Sequence, residues 1–244
     1  VREHLQHGGR VELGGADDRE LGLLRRAAQE VGRSSPGQAQ VDAFRAIFAE
    51  RRRRDLVSTD DVLTMQSLWL ASHRFADARR LTSEFPAMKL PRLPHFRDSL
   101  GASPGQPTAW RFDATGKQLT REAVDLAISR ILVTGSCDEL RAVAQDIAAD
   151  PVLGPAFERH SRWITQAPGI ESLEAVREWN AQPSAIRLLM VYDRDEWSML
   201  PAWGAAAIHV VKDGALADSI DWQQDALGRR ENLVAALRRH GLLD

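Results

Sequence analysis

Cysteine is nearly absent from this chain of 244 residues, which contains only Cys137. One thiol cannot form a disulfide within the chain, and it excludes a zinc site built from several cysteines. Hydrophobic residues make up 43% of the sequence, yet no apolar run approaches the ~20 residues that a membrane span requires. The net charge of −2 provides no basic field to attract nucleic acid. We therefore expect a soluble protein with no membrane span and no nucleic-acid partner.

Motifs for metal, nucleotide or serine chemistry are also missing. Gly8-Gly9 and Gly14-Gly15 lack the strand and the glycine spacing of a phosphate-binding loop. The histidines are scattered, and the one close pair lies near the start of the chain, in a segment whose pattern predicts fraying; they are His4, His7, His73, His95, His160, His209 and His240. The sequence therefore predicts no metal site and no cofactor.

A helical pattern extends from Asp18 to about Glu84, with apolar residues recurring every three or four positions. Breaks at 32–37, around Ser58 and at 73–75 divide it into four predicted helices. The last pair, TMQSLWLASHRFADARRLTSEFP, resembles a tetratricopeptide-type helical hairpin, with small residues inside and a proline at the end. A plain helical bundle is the alternative. Such repeats usually need about three units for stability, so we expect these helices to pack against the rest of the chain.

The run Arg51–Arg54 allows two interpretations. Four arginines form a candidate patch for a phosphate or an acidic partner. They also suit the negative end of a helix, where cations are stabilised by the peptide dipoles. We favour the second interpretation, a solvated helix end.

Three regions follow from the pattern: a helical region over 1–88, a proline-rich linker over 89–109, and a region of alternating strands and helices over 110–244. The linker contains four prolines. The third region predicts an α/β class with a mixed sheet. Its expected strands are 110–112, 118–120, 131–136, 160–165, 186–192, 206–211 and 217–222, and its expected helices are 138–150, 170–182 and 229–240.

Cys137 directly follows the apolar strand predicted from Ile131 to Ser136, and it opens the helical run that ends at Asp150. A thiol at the beginning of a helix can be stabilised as the thiolate by the helix N-terminus. Asp138 and Glu139 oppose that effect, because neighbouring carboxylates disfavour a second negative charge. Both carboxylates are also favourable residues for a first helical turn.

The order of elements from Trp110 to Asp244 resembles the thioredoxin fold. The segment WRFDATGKQLTREAVDL resembles the entry hairpin of membrane-anchored periplasmic thioredoxins, and AAAIHVVKDG resembles the strand and turn that follow their cis-proline. The resemblance implies thiol–disulfide exchange through Cys-x-x-Cys, and a cis-proline loop that docks the substrate backbone. It also favours the periplasm over the cytoplasm. Residues 1–15 lack the apolar core of a secretory signal, and the initial valine leaves the natural start open.

The chain departs from the thioredoxin pattern at both motifs. If Cys137 matches the first cysteine of the family, Leu140 stands at the second. An ungapped register instead puts Leu140 and Val143 at the two cysteine positions. Ala206 falls at the cis-proline position, where a cis bond would cost roughly 3–4 kcal/mol without proline. We therefore expect a trans bond and a reshaped loop.

Two sets of candidate site residues result. Cys137 is the catalytic candidate. Trp203, Gly204, Ala205 and Ala206 are the candidates for contact with a substrate or partner, since they border the groove that the resemblance implies. Trp203 is one of seven tryptophans, most of which we expect in the core, and core packing is the alternative for Trp203 as well.

These observations favour a thioredoxin-fold protein that has lost its dithiol chemistry and binds a protein partner as an accessory module. The alternative is a monothiol oxidoreductase or isomerase that uses Cys137 as its nucleophile and an external thiol, such as glutathione, for resolution. A homodimer joined through Cys137 is a further expectation in an oxidising compartment, provided that the thiol is exposed.

Overall fold

The computed structural model describes residues 13–34, 38–101, 106–127, 130–183, 186–201, 203, 205–223 and 226–243. These residues form two compact units, divided between Leu93 and Pro94. Over the described ranges the chain contains eight α-helices and a mixed sheet of eight strands, which confirms the predicted α/β class. None of the described helices is long and apolar enough to cross a membrane.

Helices make up most of the described first unit. A short 3-10 helix precedes four α-helices, each of which carries buried apolar residues. The helices are α1 (Asp18–Ser34), α2 (Gln38–Arg53), α3 (Thr59–Ala71) and α4 (Phe75–Glu84).

One buried carboxylate links three of these helices. Ser58 caps α3, and its backbone N–H donates to the Asp61 carboxylate at 2.8 Å. The Asp61 side chain is only 1% exposed. It also pairs with Arg51 of α2 at 3.1 Å and with Arg25 of α1 at 3.4 Å. Because burying an unpaired carboxylate is costly, these two arginines are part of the unit's structure.

The arginine run at the end of α2 is used within the unit. Besides the Arg51 contact, Arg52 pairs with Glu84 at 2.6 Å, and Arg53 and Arg54 both pair with Glu50. Hydrogen bonds from Arg53 and Arg54 lower the pKa of Glu50 to about 2. All four guanidinium groups therefore have carboxylate partners in the chain, which supports the helix-end interpretation over a phosphate patch.

The second unit begins within the segment predicted as a linker, because β1 and the first residues of β2 lie there. Its strands are β1 (His95–Arg97), β2 (Thr108–Phe112), β3 (Gln118–Ala123), β4 (Ile131–Thr134), β5 (Ser161–Thr165), β6 (Leu188–Val191), β7 (Ala207–Lys212) and β8 (Ala215–Asp221). Its helices are α5 (Cys137–Ala149), α6 (Leu153–His160), α7 (Ile170–Ala181) and α8 (Ala226–Arg239).

The sheet order is β1-β3-β2-β6-β5-β4-β7-β8. Strands β4, β5 and β6 are parallel, whereas β7 runs antiparallel to β4, and β2 runs antiparallel to β6. The carboxyl ends of β4, β5 and β6 therefore meet the beginnings of β2 and β7 at one edge, which we call the upper edge. All four residues of β4 are buried. The turn before Cys137 directly follows this buried strand.

Aromatic side chains fix the central strands against their covering elements. Trp163 of β5 contacts Phe157 of α6 and Trp179 of α7, with ring centroids 6.3 and 6.1 Å apart. A separate core cluster includes the buried Trp197. Its buried members are Ala109, Val124, Leu126, Leu132, Ile164, Leu189, Val191, Trp197, Leu200 and Val211.

Arg121 of β3 organises a second part of the upper edge, although it is only 2% exposed. Its guanidinium group donates to Glu196 at 2.7 Å, to Asp98 at 3.0 Å and to the Thr108 hydroxyl at 2.9 Å. It also lies 3.5 Å from the ring centroid of Tyr192. Arg121 thus joins the beginning of β2 and the ends of β3 and β6. It also connects them to the segment after β1.

We predict that Arg121→Met lowers the free energy of unfolding by about 3 kcal/mol, because it leaves two partly buried carboxylates without their cation. Urea denaturation of the intact chain measures this change. Arg111→Met is the matched control. Arg111 lies in β2, which pairs with β3, but its side chain is 52% exposed and pairs with Glu122. That substitution should cost less than about 1 kcal/mol. Equal losses in the two variants would contradict the assigned role of Arg121.

Candidate functional site

The candidate site lies at the upper edge, where β4 ends and α5 begins. Gly135 occupies the turn between them, directly against Ala206 in the loop before β7. A Cβ atom on residue 135 would lie 3.1 Å from the Ala206 Cα and 3.3 Å from its Cβ. A larger residue would therefore require the backbone of Ala206 to shift by a few tenths of an ångström.

Ser136 and Glu139 form a capping box at the start of α5. The Glu139 carboxylate accepts from the Ser136 N–H at 3.0 Å and from its hydroxyl at 2.7 Å. The Ser136 hydroxyl oxygen accepts from the Glu139 N–H at 3.4 Å. Reciprocal bonds of this kind satisfy backbone donors that the first helical turn leaves unpaired.

Cys137 is the first residue of α5 and is half-buried. Its Sγ atom lies 3.9 Å from the hydroxyl of Thr165, the last residue of β5. The Thr165 hydroxyl donates to the Gly135 carbonyl at 2.9 Å. Burial raises the pKa of the Cys137 thiol, and the Asp138 carboxylate raises it further. The thiol is therefore protonated near neutral pH.

Leu140 and Val143 are both fully buried core residues of α5. They stand at the positions where the two registers of the thioredoxin resemblance require cysteine. Since neither position carries a thiol, Cys137 has no resolving partner along its own helix.

Glu139 makes a second set of contacts beyond the capping box. Its other carboxylate oxygen accepts from the Gln223 side chain at 3.0 Å, just after β8. Burial alone would raise the pKa of Glu139, but the hydrogen bonds from Ser136 and Gln223 outweigh burial and hold the pKa below its ordinary value.

The four residues predicted to contact a partner have different surroundings. Trp203 is half-buried and packs edge to face against the buried Trp197, with ring centroids 6.2 Å apart. Ala206 is buried beside Gly135, and Ala205 is partly exposed. No described peptide bond is cis, so the bond between Ala205 and Ala206 is trans. Gly204 lies outside the described residues.

The structure also contains a buried polar chain that sequence reasoning did not identify. His209 of β7 lies between the Thr134 hydroxyl, 3.0 Å from Nε2, and the Ser219 hydroxyl, 2.9 Å from Nδ1. Burial lowers the pKa of His209 to about 4. Ser219 is exposed, so the pair has the outline of a nucleophile and its base. A base of that pKa is too weak to activate serine near neutral pH, however. The hydrogen bonds from His209 to Thr134 and Ser219 are therefore structural. The only signal in the sequence was a histidine within an apolar strand.

Comparison with known proteins leaves the site to be interpreted from its own geometry. No family model matches the chain, and no curated protein matches it significantly. Within the part of the chain that the structure describes, no group of three or more histidine, cysteine, aspartate or glutamate residues is placed to hold a metal ion.

We predict that His209 makes the protein less stable as the pH falls from about 6.5 to about 4. Its pKa is lower in the folded chain than in the unfolded chain, so the unfolded chain binds more protons in this window. The difference between the two pKa values corresponds to about 3 kcal/mol of unfolding free energy.

The test compares the wild-type protein with His209→Gln by urea denaturation at pH 7 and pH 4. Glutamine does not titrate but can still donate and accept hydrogen bonds. The difference in unfolding free energy between the two proteins should shift by about 3 kcal/mol in favour of the variant at pH 4. Parallel pH profiles would show that His209 is not the responsible group.

Proposed function

We propose that the second unit is a thioredoxin-like domain that has lost thiol–disulfide exchange and acts as a protein-binding or accessory module. The observation that carries the proposal is the single, half-buried thiol at the start of α5, with the buried Leu140 in place of a resolving cysteine. The first unit would be an all-α, tetratricopeptide-like region that supplies further contacts.

The topology supports the thioredoxin-like part of this proposal. Parallel β4 and β5 are joined through α5 and α6, and the antiparallel pair β7–β8 follows on the other side of β4. Helix α8 then closes the unit. This is the order that the sequence resemblance implies, with Cys137 at the helix start and Ala206 beside the preceding turn.

The chemistry of the site supports the loss of exchange activity. Exchange begins when a thiolate attacks a disulfide, and it ends when a second thiol resolves the mixed disulfide. Burial and Asp138 keep Cys137 protonated, which slows the first step. The apolar side chain of Leu140 removes the second step within the chain.

The hairpin of α3 and α4 supports a role in protein contacts. His73 adopts a left-handed conformation with φ 58°, which allows a tight connection between the two helices. Gln66 of α3 donates to the Ala78 carbonyl and the Thr82 hydroxyl of α4, at 3.1 and 2.9 Å. Closely packed antiparallel helices of this kind are the unit from which repeat binding surfaces are built.

The position of Cys137 at a helix N-terminus favours a second candidate function, because that end of a helix can stabilise a thiolate. In a monothiol oxidoreductase or isomerase, Cys137 would attack a mixed disulfide, and glutathione would resolve the product. A periplasmic location and a dimer joined through Cys137 belong to the same set of proposals.

We predict that the wild-type protein and Cys137→Ser show the same negligible turnover in insulin reduction and in reduction of a glutathione mixed disulfide, because the thiol is protonated and lacks a resolving partner. A dithiol thioredoxin serves as the positive control. The two proteins should also recover the same partners after crosslinking. Turnover by the wild-type protein that disappears in Cys137→Ser would overturn the proposal and establish the monothiol alternative.

A further inference from the structure

The lower edge of the sheet, opposite the upper edge, is where the parallel strands β4, β5 and β6 begin. An arginine stands at each of these beginnings. Arg130 directly precedes β4, Arg162 is the second residue of β5, and Arg187 directly precedes β6. Arg159 lies in the last turn of α6, just before β5. We call these four residues the basic edge.

Strand register brings two of these arginines together. Arg162 and Arg187 directly precede Trp163 and Leu188, which are paired in neighbouring parallel strands. Such strands lie about 4.8 Å apart, so the two arginines start from adjacent positions at the lower edge. Like charges on neighbouring strands are destabilising. The arrangement therefore does not serve the stability of the sheet by itself.

The other two arginines lie beside His160. Ile131 of β4 is paired with Ser161 of β5, so Arg130 and His160, which directly precede them, are also neighbours. Burial lowers the pKa of His160, and the positive charges of Arg130 and Arg159 lower it further. His160 is therefore neutral near pH 7, and the four arginines supply the positive charge of this edge.

No member of the basic edge is paired with a carboxylate among the residues that the structure describes. Arg130, Arg162 and Arg187 donate to backbone carbonyl oxygens, which carry only a partial charge. Glu158 is next to Arg159 in the chain, but the two side chains form no ion pair. Arg159, Arg162 and Arg187 are exposed, whereas Arg130 is half-buried. The positive charge is therefore available to an anion from outside the chain.

The charge of the remaining surface restricts which anion fits. The chain has a net charge of −2, and exposed carboxylates such as Asp138, Asp195 and Asp221 lie at the upper edge. Nucleic acid or an anionic membrane extends beyond the basic edge and meets this negative surface, which repels it. A small anion reaches only one or two exposed arginines, and one exposed ion pair contributes little. A short segment with several carboxylates can pair with all four arginines, because guanidinium groups bind carboxylates through two parallel hydrogen bonds.

We propose that the basic edge is a docking surface for an acidic segment of a partner protein, whose aspartate and glutamate side chains pair with Arg130, Arg159, Arg162 and Arg187. The inference rests on the proposed function, since it names the partner chemistry of the protein-binding module. Because exposed ion pairs are screened by salt, this binding weakens as the ionic strength rises.

The first measurement is the affinity of a fluorescent octaglutamate peptide for the full chain, by anisotropy at about 50 mM salt. An octaglutamine peptide gives the background. The double variant Arg162→Gln, Arg187→Gln should bind octaglutamate about fivefold or more weakly than the wild type, since it loses two ion pairs. The matched control is Arg45→Gln, Arg194→Gln, which removes the same charge from exposed positions elsewhere. It should change the affinity less than about twofold.

Two results would overturn the proposal. One is an equal affinity of the wild type and of Arg162→Gln, Arg187→Gln, or no binding of octaglutamate by the wild type below about 1 mM. The other is tighter binding of a single-stranded oligonucleotide, or of vesicles containing phosphatidylserine, than of octaglutamate, with the same loss in the double variant. That result would assign the basic edge to another anion.

Amide chemical shifts of the wild-type protein locate the binding surface without any variant. Octaglutamate should shift the amides of Arg162 and Arg187 and leave that of Arg194 unchanged, and the reverse pattern would contradict the docking surface. The proposed function fails by a different result, which is disulfide turnover that depends on Cys137. A lack of octaglutamate binding removes the basic edge alone and leaves partner binding through another surface.

Discussion

The close approach of Gly135 to Ala206 is the constraint on which the site depends. Strand β4 is buried and lies between a parallel and an antiparallel neighbour, so the chain leaving it must turn beside the loop that enters β7. A Cβ atom at position 135 would lie 3.1 Å from the Ala206 Cα, so a larger residue would require that backbone to shift. This turn sets where α5 begins, and therefore where Cys137, Glu139 and Leu140 lie.

Electrostatics at the start of α5 favour a carboxylate over a thiolate. The N-terminus of a helix stabilises negative charge. Here Glu139 already provides that charge, with hydrogen bonds from Ser136 and Gln223. Asp138 adds a second carboxylate and raises the pKa of Cys137. The same helix position that can activate a thiol thus holds a neutral one in this chain, and the stabilised anion is the Glu139 carboxylate.

Much of the second unit follows from local patterns. The apolar run at Ile131–Ser136 predicted a strand, and Ile131–Thr134 forms β4. Ser136 with Glu139 fits a helix start because capping is determined by neighbouring residues. Helix α6 was not predicted, because Pro151, Gly154 and Pro155 indicate a break; Pro155 is tolerated in the first turn, where its missing N–H has no partner to lose. Strand β1 was not predicted either, because it lies in the proline-rich segment that was predicted to be a linker.

The long-range contacts could not be predicted from one sequence. Nothing local indicates that Asp98 and Glu196 meet at Arg121, or that Gln223 reaches Glu139, because each pairing depends on strand order. The burial of His209 depends on its neighbours in β4 and β8 in the same way. Trp203 was predicted as a partner contact, with core packing as the alternative; it is half-buried and packs on Trp197, and the partner contact stays a prediction.

The rate of Cys137 alkylation by iodoacetamide as a function of pH, measured on the native protein and read out by intact mass, tests the central claim most directly. Cys137→Ser gives the background, since the chain has no other cysteine. The account predicts slow labelling at neutral pH and a rate that still rises above pH 9, since burial raises the pKa of the thiol. A rate that already reaches its plateau near pH 7 would show a stabilised thiolate and contradict the loss of thiol chemistry.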